Sequence, residues 1–296
     1  MLYDRKKWIC ITDKNEGRKL SMRKNFYELL AKRDFDAKKE YATLWTLFCI
    51  EKSYHTGYGS YAMAPWVDQK LFRDFAFRGS FATLKDMMDE FGIQEHSAVD
   101  VDKILLFCEL LIAVLPQYGV AYDEYLSKQR RTIFENIDYI LERTNHEKKK
   151  DPNGNWIIVE KNKAATLAAQ LVDDEVVAFE LIEYNHFALK GNLEGKKKLL
   201  FSIAAYIEPI LKSKVLQKSG YKQLESDAGF LFNNFHIRHN NKTGTAAQDY
   251  ITTVKDAELE EWYDKAYEVA LSVIIMNDYL TIGKDIADIK TKYTWK

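Results

Sequence analysis

One interruption limits what this chain can fold into. Residues 144–155 read Thr-Asn-His-Glu-Lys-Lys-Lys-Asp-Pro-Asn-Gly-Asn, a polar run that closes on Asp151-Pro-Asn-Gly154. A helix does not run through such a stretch. Proline lacks a backbone N–H and disfavours helical dihedrals in the residue before it, while Asn and Gly accept turn dihedrals at little cost. Trp156-Ile-Ile-Val159 follows at once and is the one good strand candidate. A small β-hairpin is therefore expected near residues 147–160. On both sides of it, apolar residues recur at spacings of three and four, which marks amphipathic helices. The expected fold class is all-α: a multi-helix bundle with one small hairpin, divided into an aromatic-rich helical domain over 1–145 and a second helical domain over 146–296.

Before the break, Phe26, Leu29 and Leu30 predict a helix over 20–32, and Tyr41, Leu44, Trp45 and Phe48 one over 38–50. His55-Thr-Gly-Tyr-Gly-Ser-Tyr61 reads as a loop. A short helix is expected over 81–91, and Ser97 as the cap of the next one, with Asp100 at its third position. Ile133, Ile137, Ile140 and Leu141 form one face of a helix over 122–142. After the break, helices are predicted over 164–190, broken at Asp173-Asp174, and over 193–216, kinked or restarted at Pro209. Two more follow, over 221–235 and 256–280, with 286–296 as a mixed tail.

Composition removes several classes of function. With 47% apolar residues the chain has ample material for a core. Lys+Arg (43) and Asp+Glu (44) cancel to −1, so there is no global basic field of the kind a dedicated duplex-DNA binder carries. Cys10, Cys49 and Cys108 are odd in number and widely spaced, which fits thiols in a reducing cytosol and not a disulfide frame. The charged start, Met-Leu-Tyr-Asp-Arg-Lys-Lys, does not read as a signal peptide. The most apolar run, 104–115, is interrupted by Glu109 and is shorter than the roughly 20 residues that span a bilayer. A cytoplasmic protein with no membrane partner is expected.

The densest concentration of chemically able side chains is Phe230-Leu-Phe-Asn-Asn-Phe-His-Ile-Arg-His-Asn-Asn-Lys-Thr-Gly244. On a continuing helix, His236, His239 and Asn240 share a face, and Arg238 points about 100° from His239. If the helix stops here, the groups can converge at its end. Arginine offers a fork for a phosphate, histidine exchanges protons near neutral pH, and asparagine orients the group attacked. The competing reading is a polar C-cap in which His, Arg and Asn satisfy helix-end carbonyls. Asn241 and Lys242 would extend the contact to nucleic acid. So would Arg73 and Arg78, which alternate with Phe72, Phe75 and Phe77, though buried aromatics with solvated arginines are the simpler account. Glu183 and His186 are i,i+3 neighbours that suit a metal only if further carboxylates face them. His55, His96 and His146 stand alone, and Lys148–Lys150 and Lys196–Lys198 read as solvated charge.

Asn233-Asn-Phe-His-Ile-Arg-His-Asn-Asn241 ahead of a long terminal helix resembles the C-terminal segment of HEPN-type helical proteins of bacterial abortive-infection (phage-defence) systems. The likeness covers roughly residues 160–285. The N-terminal half is similar only to uncharacterised helical partners of such modules. The resemblance implies an RNA-binding or metal-independent RNA-cleaving protein, with no cofactor, a homodimeric assembly and a partner protein as a further option. Arg238 matches the family's arginine. Members that cut RNA usually carry a histidine four to six residues later, and here those positions are Lys242, Thr243 and Gly244. His239 directly follows the arginine instead. In a catalytic version, His239 or His236 would serve as base or acid while the 2′-hydroxyl attacks the adjacent phosphate, Arg238 would neutralise developing charge, and Asn240 would position ribose or phosphate.

Overall fold

The computed structural model describes residues 34–55, 59–115, 124–243 and 249–293. The helix expected over 20–32, Cys10 and residues 244–248 of the polar link lie outside them. The chain divides into two compact units, Met1–Phe35 and Asp36–Lys296. The described residues form a mainly helical bundle with small antiparallel β-hairpins.

Within the second unit, α1 (Ala37–Trp45) starts on Asp36, whose carboxylate accepts the Lys39 N–H, and ends in a π-turn over Thr46–Ile50. Strands β1 (Lys52–His55) and β2 (Gly59–Ala62) follow, pairing Lys52 with Ala62 and His55 with Gly59. The segment read as a loop is thus a second hairpin. Its short strands lack the apolar alternation that announces one. Next come α2 (Met63–Lys70) and α3 (Leu84–Glu90), the latter held by a reciprocal Thr83–Asp86 capping box. Helix α4 (Val101–Val114) begins on Asp100, which accepts the Lys103 N–H. Ser97 does not cap it; its hydroxyl closes the preceding turn on the Gly92 carbonyl at 2.8 Å. Phe107 of α4 lies against Tyr41, Trp45 and Phe48, at ring separations of 5.1, 6.2 and 6.3 Å.

Helix α5 (Glu124–Arg143) buries Ile133, Ile137, Ile140 and Leu141, as their spacing predicts. Strands β3 (His146–Lys150) and β4 (Trp156–Glu160) then form the expected hairpin, in register from His146–Glu160 to Lys150–Trp156. The Asp151 carboxylate accepts the N–H groups of Asn153 and Asn155, and Gly154 supplies the positive φ of 86° that the turn requires. The hairpin lies at the seam between the aromatic half and the helices that follow. Glu109 of α4 accepts the Ile158 N–H at 2.8 Å, and the Glu160 N–H donates to the Asn185 carbonyl.

Helices α6 (Lys163–Leu171) and α7 (Glu175–Glu183) are separated where Asp173-Asp174 predicts, because Asp174 caps α7. Helix α8 (Leu193–Ser213) runs on through Pro209 and ends at Lys214, which takes the left-handed conformation before the single turn α9 (Val215–Lys218). Helices α10 (Lys222–Asn234), α11 (Asp249–Thr253) and α12 (Asp256–Lys292) complete the described fold. Helix α12 packs on α6, α8 and α10 and buries Leu259, Tyr263, Ala266, Ala270, Val273 and Ile274 in the core of this half. It continues twelve residues beyond the expected end at residue 280. No helix of the described residues is long and apolar enough to cross a membrane.

Candidate functional site

The Arg/His/Asn stretch is not helical. Helix α10 closes when the Phe235 N–H donates to the Leu231 carbonyl, and His236 then takes a positive φ of 61°. A residue with a Cβ spends about 1 kcal/mol or more in that conformation. The side chain of Asn241 compensates: its Oδ1 accepts the His236 N–H at 2.9 Å, in a position only 2% exposed. Burial then alternates. Phe235 packs 4.7 Å from Trp262 and Ile237 is buried, whereas His236, Arg238 and His239 stay partly or fully accessible. This loop brings together His236 and Arg238, which a continuous helix would have aimed in different directions.

They line an open groove of about 580 Å³ with Lys197 and Phe201 of α8, His239, Asn240, Lys242 and Thr243. Among the described residues no carboxylate lines it. Lys197 and Phe201 are i,i+4 neighbours, and Phe201 is 55% exposed, an aromatic face left in water beside cations. Neither residue is apparent from the motif itself. The signal available was an apolar ring on the polar stripe of α8.

Lys197 Nζ lies 2.9 Å from His236 Nε2. An ammonium can only donate, so Nε2 is the nitrogen that accepts from Lys197. The Asn241 N–H is shared between His236 Nδ1 at 3.2 Å and the His239 carbonyl at 3.0 Å. Desolvation first, then the positive charges of Lys197 and Lys242, pull the His236 pKa below its ordinary value. His236 is therefore a neutral base at the wall of a cationic groove.

Arg238 reaches the other way along α8. Its Nη2 pairs with Glu208 at 2.7 Å, and Glu208 also binds Lys212 at 2.7 Å. Hydrogen bonds from Lys212 and Arg238 hold the Glu208 carboxyl down at about 2. The side chain is three-quarters shielded; it anchors the loop and also lines the groove. Asn240 turns its amide to the Thr243 hydroxyl at 2.6 Å. Asn241 is turned inward and does not line the groove, so its side chain acts as the staple of the loop and not as an RNA contact.

The remaining candidates are used elsewhere. Arg78 donates to the Phe81 carbonyl and Arg73 is exposed; neither lines the groove. His186 gives Nε2–H to Glu109 at 2.9 Å while its Nδ1 accepts the Ala188 N–H, which leaves no ring nitrogen for a metal. Among the described residues no three His, Cys, Asp or Glu side chains converge as a metal site requires. His186 instead belongs to a cleft of about 680 Å³ at the seam, with His146, Glu160, Lys196, Glu260 and Asp264 among its lining residues. There Lys196 is buried and bonded to Glu260 at 2.9 Å and to Asp264 at 2.6 Å, and Asp264 also accepts from the Tyr184 hydroxyl. Lys148 is taken by Asp138, Lys149 by Glu147, and Lys150 lies over Trp156. Cys49 and Cys108 are free, and burial pushes both thiols up, Cys49 to about 12.

Comparison of the chain with protein-family models, with curated proteins and with solved structures finds no match.

Proposed function

We propose that the groove between α8 and the loop 235–243 binds the phosphate backbone of single-stranded RNA, as the HEPN-like resemblance of this stretch implies, and that the protein is a phage-defence module of that type. The observation that carries this reading is the lining: Lys197, Arg238, Lys242, two imidazoles and an exposed phenyl ring in one open groove. Cations that track a backbone together with an aromatic face on which a base can stack are the usual means of holding a single strand. The same groove carries the parts for metal-independent cleavage. Once Lys197 turns from His236 Nε2 to the phosphate, that nitrogen would take the proton of a ribose 2′-hydroxyl as its oxygen attacks the adjacent phosphorus. Protonated His239 would give a proton to the departing 5′-oxygen. A 2′,3′-cyclic phosphate and a 5′-hydroxyl result. Arg238 and Lys197 would hold the non-bridging oxygens as charge grows on them.

The Arg238–Glu208 pair and the His236–Asn241 staple favour a second reading, in which the stretch only closes α10 within an interaction protein. One experiment separates the two. A fluorescent single-stranded RNA is titrated with the full chain, and its cleavage is followed on denaturing gels with EDTA present. Wild type, Lys197→Ala, Lys242→Ala, Arg238→Ala and His239→Ala are compared. RNA binding weakened by each lysine change supports the groove. Cleavage lost in the Arg238 and His239 variants supports the nuclease. Absence of RNA binding by the wild-type chain at low salt leaves only the structural cap.

A further inference from the structure

The last turns of α12 carry a feature that neither the core nor the groove uses. From residue 281 to 292 every residue except Gly283 is exposed. This arm is about 18 Å long at the usual helical rise. The large exposed apolar residues along the end of α12 are Tyr279 (54% exposed), Ile282 (48%), Ile286 (43%) and Ile289 (52%), with Tyr293 (69%) just past the last helical residue. The four helical ones are spaced three, four and three apart, the a/d pattern of a coiled-coil seam. A stripe repeating every 3.5 residues faces one direction along the helix and fits a partner carrying the same repeat. Alone it has little to hold it in place. An interior glycine with open space around it costs about 1 kcal/mol relative to alanine, and a short helix in water is marginal without a packed face.

The flanking charges specify the partner. With Tyr279 and Ile286 at a, and Ile282 and Ile289 at d, Asp285 falls at g and Lys290 at e. In a parallel pairing of two identical arms, g of one strand meets the following e of the other. Asp285 then faces the partner's Lys290, and the same contact repeats by symmetry. An unrelated helix would match this arrangement only by chance.

We infer that residues 279–292 of α12 form a parallel coiled coil with the same segment of further copies of this chain. Isoleucine at d as well as at a favours more than two strands, so the assembly is a dimer or larger. The inference is independent of the RNA groove, and a monomeric protein that still binds RNA would overturn the seam while leaving the groove standing.

Its test is the solution mass of the full chain by sedimentation equilibrium over a wide concentration range, with helix content checked by circular dichroism. Wild type is expected at two or more times the 34.6 kDa chain mass. Ile286→Lys with Ile289→Lys should give monomer at every concentration, since both sites are solvent-exposed and the body has no need of them. Asp285→Lys and Lys290→Asp should each weaken assembly about tenfold, and the two together should restore it. A monomeric wild type means that another segment or another protein covers the arm, and overturns the proposal. So does assembly indifferent to the isoleucine changes, or a double charge swap that restores nothing.

Discussion

The groove at the end of α10 and the cleft at the seam are similar in size and equally polar, yet they handle charge in opposite ways. In the cleft the buried lysine and the histidine are answered from within the protein. Lys196 is held by Glu260 and Asp264, Asp264 by Tyr184, and His186 by Glu109, which also takes the Ile158 N–H. In the groove, among the described residues, only Arg238 has a carboxylate, and Lys197 points its ammonium at a neutral imidazole. A charge satisfied inside the fold holds helices together. A set of like charges that faces water with no counter-charge is open to an outside anion. Proximity of catalytic-looking side chains says little by itself; what matters is whether their partners are already present.

The largest effect should therefore come from the cleft, and on stability alone. Lys196→Ala leaves Glu260 and Asp264 facing each other without their cation. Because the lysine is only 8% exposed, the cost should be about 3 kcal/mol in urea denaturation, reduced where Asp264 reaches water. Lys196→Met, which keeps the packing volume, should cost less than the truncation. RNA affinity should not change in either variant once each is folded. A fall in RNA binding with stability intact would merge the two sites and break the comparison.

Asn241→Ala comes next. It deprives the buried His236 N–H of its acceptor while His236 holds a left-handed conformation, and it should destabilise the protein by about 1–2 kcal/mol. Unlike the Lys196 change, it should also lower RNA affinity, because His236 and Arg238 are aimed by that loop. A variant that loses stability but binds RNA as before would show that the groove does not depend on its staple.

Asn241 also marks where sequence reading reached its limit. The helices, the 146–160 hairpin and the break at Asp173-Asp174 are written in local signals: apolar spacing, an Asp-Pro-Asn-Gly turn, capping side chains. The end of α10 is not local. It depends on Phe235 finding Trp262 across the core and on a buried asparagine five residues downstream, so a helical projection of His236, His239 and Asn240 is the wrong geometry. The run Lys196–Lys198 shows the same limit. One helical turn puts Lys196 into a buried ion pair, Lys197 into the groove and Lys198 into solvent, and sequence cannot rank three adjacent lysines. The heptad stripe was visible in principle. It is hidden by the buried stretch before it, where α12 is apolar on several faces and 3.5- and 3.6-residue repeats look alike.

The pH response gives a smaller effect with a defined sign. The His236 pKa is lowered in the folded protein, so the unfolded chain binds more protons just below the ordinary histidine value. The stability from keeping that ring neutral is full above about pH 6.5 and is lost as pH falls through the window beneath it. A bound phosphate reverses the preference by favouring the imidazolium. RNA affinity should therefore rise as pH falls from about 7.5 to about 5.5, on either side of the ordinary histidine value, while unliganded stability declines. His146 is shifted in the same direction by burial, so His236→Asn must abolish the affinity trend for the assignment to hold. Glu208 contributes at a lower range: its pairing with Arg238 and Lys212 is complete above the ordinary carboxylate value and disappears as pH falls toward about 2.

The smallest expected effect is also the sharpest probe of the difference between the two regions. Lys242→Ala and Lys197→Ala should change stability by no more than about 0.5 kcal/mol, because neither ammonium is held by a carboxylate. Each lysine that neutralises a phosphate of a single strand should, once removed, lower the slope of log affinity against log salt by about 0.7. Lys190 and Lys161 provide the control, since each pairs with a carboxylate, Asp102 and Glu142 respectively. Their alanine variants should leave the salt slope as it is. The comparison turns on this contrast between lysines with and without a carboxylate partner. If all four changes reduce the slope equally, RNA is reading the general surface charge, and the groove has no special claim to it.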